Sequence, residues 1–113
     1  MKPLSPVIEQ RRTKRFDLNL PVEVVRAGSD RISHHGRTHN ISSGGVLFAS
    51  RRRLELGGPV EYVVTLSTGT GGAVNLRCMG KVLRIESTSD DELFSVAVTL
   101  ERYEFLRTYG HPA

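Results

Sequence analysis

At 113 residues the chain can build one modest hydrophobic core but not two, and with 38% hydrophobic residues it is expected to fold as a single domain. No apolar run approaches the roughly 20 residues of a membrane-spanning helix, the start Met1-Lys2-Pro3-Leu4-Ser5 lacks the apolar centre of a secretion signal, and the lone Cys78 excludes an intrachain disulfide and a cysteine-rich zinc site; a cytoplasmic location is expected. The net charge of +4 is uneven: residues 1–53 carry eleven Lys/Arg against four Asp/Glu, a balance of +7, and residues 54–113 carry five against eight, a balance of −3.

Residues 1–10 are polar, contain Pro3 and Pro6 and show no period, which predicts a flexible N-terminal tail. The basic run Arg11-Arg12-Thr13-Lys14-Arg15 follows. Leu18, Leu20, Val22 and Val24 then recur at every second position, the period of a strand with one buried face, and Pro21 suits its beginning. Gly28-Ser29-Asp30 reads as a turn and the polar stretch to about residue 35 as a loop. Weak alternation over 36–42 and the apolar Val46-Leu47-Phe48-Ala49 predict two strands. Between them Ser42-Ser43-Gly44-Gly45 has the chemistry of a tight connection with positive φ.

Arg51-Arg52-Arg53 reads as a solvated loop, and Gly57-Gly58-Pro59 as a turn. Val60, Tyr62, Val64 and Leu66 alternate with Glu61, Val63, Thr65 and Ser67, a further strand. After the glycine-rich Thr68–Gly72 loop, Val74, Leu76 and Cys78 mark the next, with Cys78 on its apolar side. The phase breaks near Arg84, and Gly80 is the expected site of a bulge that resets it. Phe94, Val96, Val98 and Leu100 form the last predicted strand. Tyr103, Leu106 and Tyr109 at three-residue spacing predict a short C-terminal helix, stopped by Gly110 and Pro112. Six strands with glycine turns point to an antiparallel sandwich or small barrel, and closure into a barrel would remove exposed edges.

Two motifs carry chemistry. In the arginine run, Arg11 and Arg15 stand four residues apart; guanidinium forks match phosphate oxygens and the O6/N7 edge of guanine, and can stack on a base. The turn Asn40-Ile41-Ser42-Ser43-Gly44-Gly45 offers an amide, a hydroxyl and backbone N–H groups where glycine permits close approach. Together they make a two-part site for a ligand that is both phosphate and guanine. His34, His35 and His39 match no common zinc spacing, and Cys78 reads as a buried structural thiol. No paired acid/base motif and no phosphate loop leading into a helix is present, so the chain reads as non-enzymatic, with no metal and no cofactor.

In this order and context the two motifs resemble those of the PilZ domain family, bacterial receptors for cyclic di-GMP. The resemblance covers about residues 9–107. The family's RxxxR motif matches Arg11 to Arg15, followed by Phe16 and Leu20-Pro21-Val22-Glu23-Val24. Its [D/N]xSxxG motif matches Asn40, Ser42 and Gly45, and Gly80-Lys81-Val82-Leu83-Arg84 and Val96-Ala97-Val98 are also similar. The resemblance implies an all-β, six-stranded antiparallel β-barrel of split-barrel type, with a mobile N-terminal arm, spanning residues 11–109 between tails at 1–10 and 110–113. It implies cyclic di-GMP bound on the outer surface by Arg11, Arg12, Arg15, Asn40, Ser42, Gly44, Gly45 and, as an extra contact, Arg84. Arg11 and Arg15 would grip phosphates and guanine, Asn40 would face a guanine edge, Ser42 would bond the ligand, and Gly44 and Gly45 would leave room. Asn40 stands where many members have Asp, which can accept from both N1–H and the amino group of guanine.

On this reading the arginine segment closes over the ligand and the signal passes to a downstream protein, with motility, surface-polysaccharide and pilus machinery as family analogies. Two other functions compete. One is a PilZ-like adaptor that acts through protein partners without ligand, against which the intact arginines, Ser42 and Gly45 argue. The other is a nucleic-acid-binding barrel, which would place several aromatics on one face; aromatics are 6% of this chain.

Overall fold

Valine at every second position gives the chain its architecture, because a β-branched residue favours the pleated backbone and one face of each strand then becomes apolar. The computed structural model describes residues 15–67, 72–90 and 92–107. They form seven strands: β1 (Pro21–Ala27), β2 (Asp30–Ser42), β3 (Gly45–Ser50), β4 (Pro59–Ser67), β5 (Ala73–Ser87), β6 (Phe94–Thr99) and β7 (Arg102–Arg107). Every pairing is antiparallel. The first six strands close a barrel in the order β4-β1-β2-β3-β6-β5, with β5 returning to β4. No helix among the described residues is long and apolar enough to cross a membrane.

Closure depends on β5, which changes neighbours along its length. Ala73–Lys81 pair with β4, and Val82–Ser87 pair with β6. The edge of β5 left open over Val74–Met79 is taken by β7. The inward residues Val22, Val24, Val46, Phe48, Val60, Tyr62, Val64, Cys78, Val82, Val96 and Val98 are all buried, each fully buried valine contributing about 1.5–3 kcal/mol. Phe48 and Tyr62 pack with ring centroids 6.3 Å apart. The Tyr62 hydroxyl donates to the Thr99 carbonyl at 3.0 Å, so the one polar atom of that ring is satisfied.

Three expectations change. Residues 102–107 are a strand, not the start of a helix. Tyr103 and Phe105 alternate with Arg102 and Glu104, and pairing on β5 satisfies backbone groups of both segments; Tyr109, Gly110 and Pro112 lie outside the described residues. The predicted loop up to residue 35 is the first half of β2. Its inward positions are Ile32, His34, Gly36 and Thr38, too polar to read as a buried face. The phase of β5 is reset between Val82 and Arg84, at Leu83, rather than at Gly80, which stays in register with Val60.

Cys78 is fully buried, and its thiol donates to the Leu76 carbonyl at 3.5 Å. Burial pushes it up from 9.0 to about 12, and burial together with the neighbouring Cys78 pushes Tyr62 up as well. A raised value means the unfolded chain releases its proton first, so the contribution is intact below pH 9 and is lost as pH rises from there toward 12. Unfolding free energy is therefore expected to be flat near neutrality and to fall above pH 9, by up to about 1.4 kcal/mol per pH unit per group. Denaturant titrations across pH 7–11 check this. Cys78→Ala should remove the earlier onset and leave the later one, due to Tyr62.

Candidate functional site

Two β-bulges build the site. One extra residue in a strand shifts the side-chain phase, so neighbouring positions that would face opposite sides can be re-aimed. In β2 the register shifts between Thr38 and Asn40: Thr38 is buried, His39 is the extra residue, and Asn40 lies opposite the outward-facing Leu47. In β5 the shift between Val82 and Arg84 leaves Leu83 and Arg84 both exposed, with Val82 buried before them. Pairing then sets Asn40 against Leu47, Leu47 against Ala97 and Ala97 against Arg84. Asn40 and Arg84 thus end a single row across β2, β3, β6 and β5, with Leu47 and the small Ala97 between them.

The β2–β3 turn bounds one side of this row. Ser42 pairs with Gly45, leaving Ser43 and Gly44 as the loop. Ser42 Oγ accepts from the Gly44 N–H at 3.2 Å and donates to the Gly45 carbonyl at 3.4 Å. Its hydroxyl therefore locks the turn itself, a local bond that serine commonly makes. Neither Gly44 nor Gly45 has positive φ, contrary to expectation. Gly45 is needed for a different reason: a Cβ there would lie 2.5 Å from the Val98 carbonyl oxygen, whereas at Gly44 the space is open. The Leu100 N–H donates to the Gly44 carbonyl at 3.1 Å, tying the turn to the chain beyond β6.

Arg15 reaches the same place through the lead-in to β1. Phe16 and Ile41 exchange N–H···O bonds of 2.8 and 2.9 Å, which fixes the segment against the end of β2. Thr38, fully buried, holds the next residues: Oγ1 accepts from the Leu20 N–H at 2.9 Å and donates to the Leu18 carbonyl. From Phe16 to Leu20 the chain is therefore held against the end of β2 as the lead-in to β1. Arg11 and Arg12 lie outside the described residues.

Arg15, Asn40, Ser42, Gly44, Gly45 and Arg84 all line one open depression of about 220 Å³, together with Val46, Leu47, Leu83, Ala97 and Val98. Of the six residues singled out from sequence that are described, none lies elsewhere. Leu47, Leu83 and Ala97 form its apolar floor and were not singled out; an outward apolar residue in a strand carries no local signal, although the phase break at Leu83 was visible. Arg84 pairs with Glu86 at 3.3 Å, and both are exposed. Such a pair contributes little and exchanges readily for a better partner. Two guanidinium groups, an amide and an apolar floor suit an anionic ligand with flat, polar-edged rings. No group of three or more His, Cys, Asp or Glu that could hold a metal occurs among the described residues.

The PilZ domain model matches residues 9–106. Among solved structures, the chain is similar to the inhibitor of motility MotI/DgrA of Bacillus subtilis, with a TM-score of 0.67 and 18% identity, over 84% of this chain and 44% of that one. The chain thus spans under half of that structure's length, and likeness at this identity concerns the fold alone. No curated protein sequence matches. Barrel, motif order and a match over nearly the whole chain agree: this chain belongs to the PilZ domain family.

Proposed function

We propose that the chain is a non-enzymatic receptor for cyclic di-GMP. The observation that carries this reading is the row from Asn40 to Arg84, brought into phase by two bulges and joined by Arg15 at the Phe16–Ile41 bridge. Arg15 bonds phosphate oxygens or the O6/N7 edge of a guanine and stacks on its plane. Asn40 meets a guanine polar edge, and Arg84 leaves Glu86 for the ligand. Leu47, Leu83 and Ala97 give the rings an apolar floor. Ser42 acts mainly by holding the turn, and Gly44 and Gly45 leave the approach open. Arg11 and Arg12, in the run that leads into Arg15, add further contacts as the arm closes over the ligand.

Binding then changes the surface presented to a downstream protein. The similarity to an inhibitor of motility makes the motility machinery one candidate for that partner. Calorimetry on the full chain tests the reading. Saturable heat with cyclic di-GMP, and little with GMP at equal concentration, is the expected result. Silence with cyclic di-GMP would overturn it in favour of a ligand-independent adaptor, and salt-sensitive binding of oligonucleotides alone would favour the nucleic-acid barrel.

A further inference from the structure

The lead-in that carries Arg15 does not run as a regular strand beside β2. It is pinned at both ends: Phe16 and Ile41 exchange backbone bonds of 2.8 and 2.9 Å, and the Thr38 N–H donates to the Leu20 carbonyl at 2.9 Å. Between these points the lead-in has three residues, Asp17, Leu18 and Asn19, whereas β2 has two, His39 and Asn40. The unequal lengths interrupt the backbone ladder beside Asn40, which lines the depression. An arc without a ladder needs other partners for its N–H and C=O groups.

Two side chains of β2 supply those partners. Thr38 is fully buried; its Oγ1 accepts from the Leu20 N–H at 2.9 Å and donates to the Leu18 carbonyl, so one hydroxyl stands in for the missing rung. Arg37 donates through Nε to Asn19 Oδ1 and through Nη2 to the Asn19 carbonyl at 3.0 Å. Both residues directly precede the bulge that aims Asn40. One short stretch of β2 therefore sets both halves of the site, Asn40 through the bulge and Arg15 through the arc. Valine has the shape of threonine and suits a buried strand position, so packing does not account for the hydroxyl at position 38; the arc does.

We propose that Thr38 is a positioning residue for Arg15, reinforced by the Arg37–Asn19 pair, and that it fixes the reach from the Arg15 guanidinium to Asn40 so that one guanine-bearing ligand meets both. The proposal rests on the receptor reading of the depression. Thr38, Arg37 and Asn19 do not line that depression. Each acts on affinity through the arc, and hence through Arg15.

The test is calorimetry of the full chain with cyclic di-GMP, on Thr38→Val, Thr38→Ser and Asn19→Ala, each made in the wild type and in Arg15→Ala. Thr38→Val should weaken binding roughly tenfold in the wild type. In Arg15→Ala, where the group it positions is gone, the further loss should stay within about twofold. Thr38→Ser keeps the hydroxyl and loses a buried methyl, so stability should fall while affinity stays within about twofold of the wild type. Asn19→Ala, at an exposed position, should weaken binding roughly threefold without disturbing the core, and so tests the brace even where Thr38→Val fails to fold. Without ligand, hydrogen exchange should show the Phe16 and Leu20 amides losing protection in Thr38→Val while those of β4 and β6 keep theirs. Equal losses for Thr38→Val in the two backgrounds, or an affinity of Thr38→Ser that falls with its stability, would mean that Thr38 only supports the barrel. Unchanged affinity in both Thr38→Val and Asn19→Ala would overturn the proposal and leave the receptor reading standing. A wild-type chain silent toward cyclic di-GMP overturns both.

Discussion

Gly80→Ala is expected to cost more than about 4 kcal/mol, enough to leave much of the population of a domain this size unfolded. A Cβ at this buried position would lie 1.9 Å from the Thr99 carbonyl oxygen and 2.6 Å from its carbonyl carbon and Oγ1. Two of these atoms are backbone, so relief requires moving the strand and not a rotamer. Thr99 has little freedom to move. Its carbonyl accepts from the Tyr62 hydroxyl, its Oγ1 accepts from the Lys81 N–H at 2.8 Å, and its backbone pairs with Gly45 beside the candidate site. The contact stands where β5 leaves β4 for β6, and any shift there opens the closure of the barrel. Gly44→Ala is the control, since nothing lies within 4 Å of the added methyl; its effect should stay within about 0.5 kcal/mol. Denaturant unfolding of the two variants measures the difference. A Gly80→Ala protein as stable as Gly44→Ala would mean that the two strands do not approach so closely.

The strands that could be read from the sequence are those whose inward faces are uniformly apolar. Val60, Tyr62 and Val64 in β4, and Val96 and Val98 in β6, declare their burial by period alone. The first half of β2 does not, because His34, Gly36 and Thr38 face inward. Gly36 is small because a Cβ would meet the Ala49 carbonyl oxygen at 2.2 Å, and Thr38 is polar because it holds the lead-in to β1. Such positions are set by long-range contacts that no window of neighbouring residues contains. The strand β7 was hidden differently: a short segment carries both a two-residue and a three-residue spacing, and the unfilled edge of β5 decides between them.

At the site, residue types were legible and their phase was not. Asn40, Ser42 and Gly45 stand out by spacing, and Arg84 by its break in alternation. That Asn40 and Arg84 share a row depends on a bulge in each of two strands far apart in sequence, and each flank of a bulge reads as ordinary strand by itself. The positive φ expected of the turn glycines is absent at Gly45. This glycine is required by the approach of the Val98 carbonyl and not by its own φ.

Arg15→Ala is expected to weaken cyclic di-GMP binding by about thirtyfold to more than a hundredfold, the effect of removing about 2–3 kcal/mol of charge-assisted, bidentate contact. Arg15 is the member of the arginine run that the Phe16–Ile41 bridge holds against the depression, so its guanidinium acts from a fixed base. Arg84→Ala should cost less, near tenfold, because the free protein already satisfies Arg84 with Glu86 and binding exchanges one partner for another. Arg15→Lys separates charge from geometry. A lysine keeps the attraction and its salt dependence but loses the planar fork and the stacking surface, so most of the affinity should still be lost. Asn40→Asp should act in the opposite direction, tightening binding severalfold, since a carboxylate accepts from both N1–H and the amino group of a guanine. Calorimetry on the four variants, with unfolding curves showing each to be as stable as the wild type, distinguishes these outcomes. Equal losses for Arg15→Ala and Arg84→Ala, or an unchanged affinity for Arg15→Lys, would mean that the site attracts its ligand by charge alone and does not read guanine.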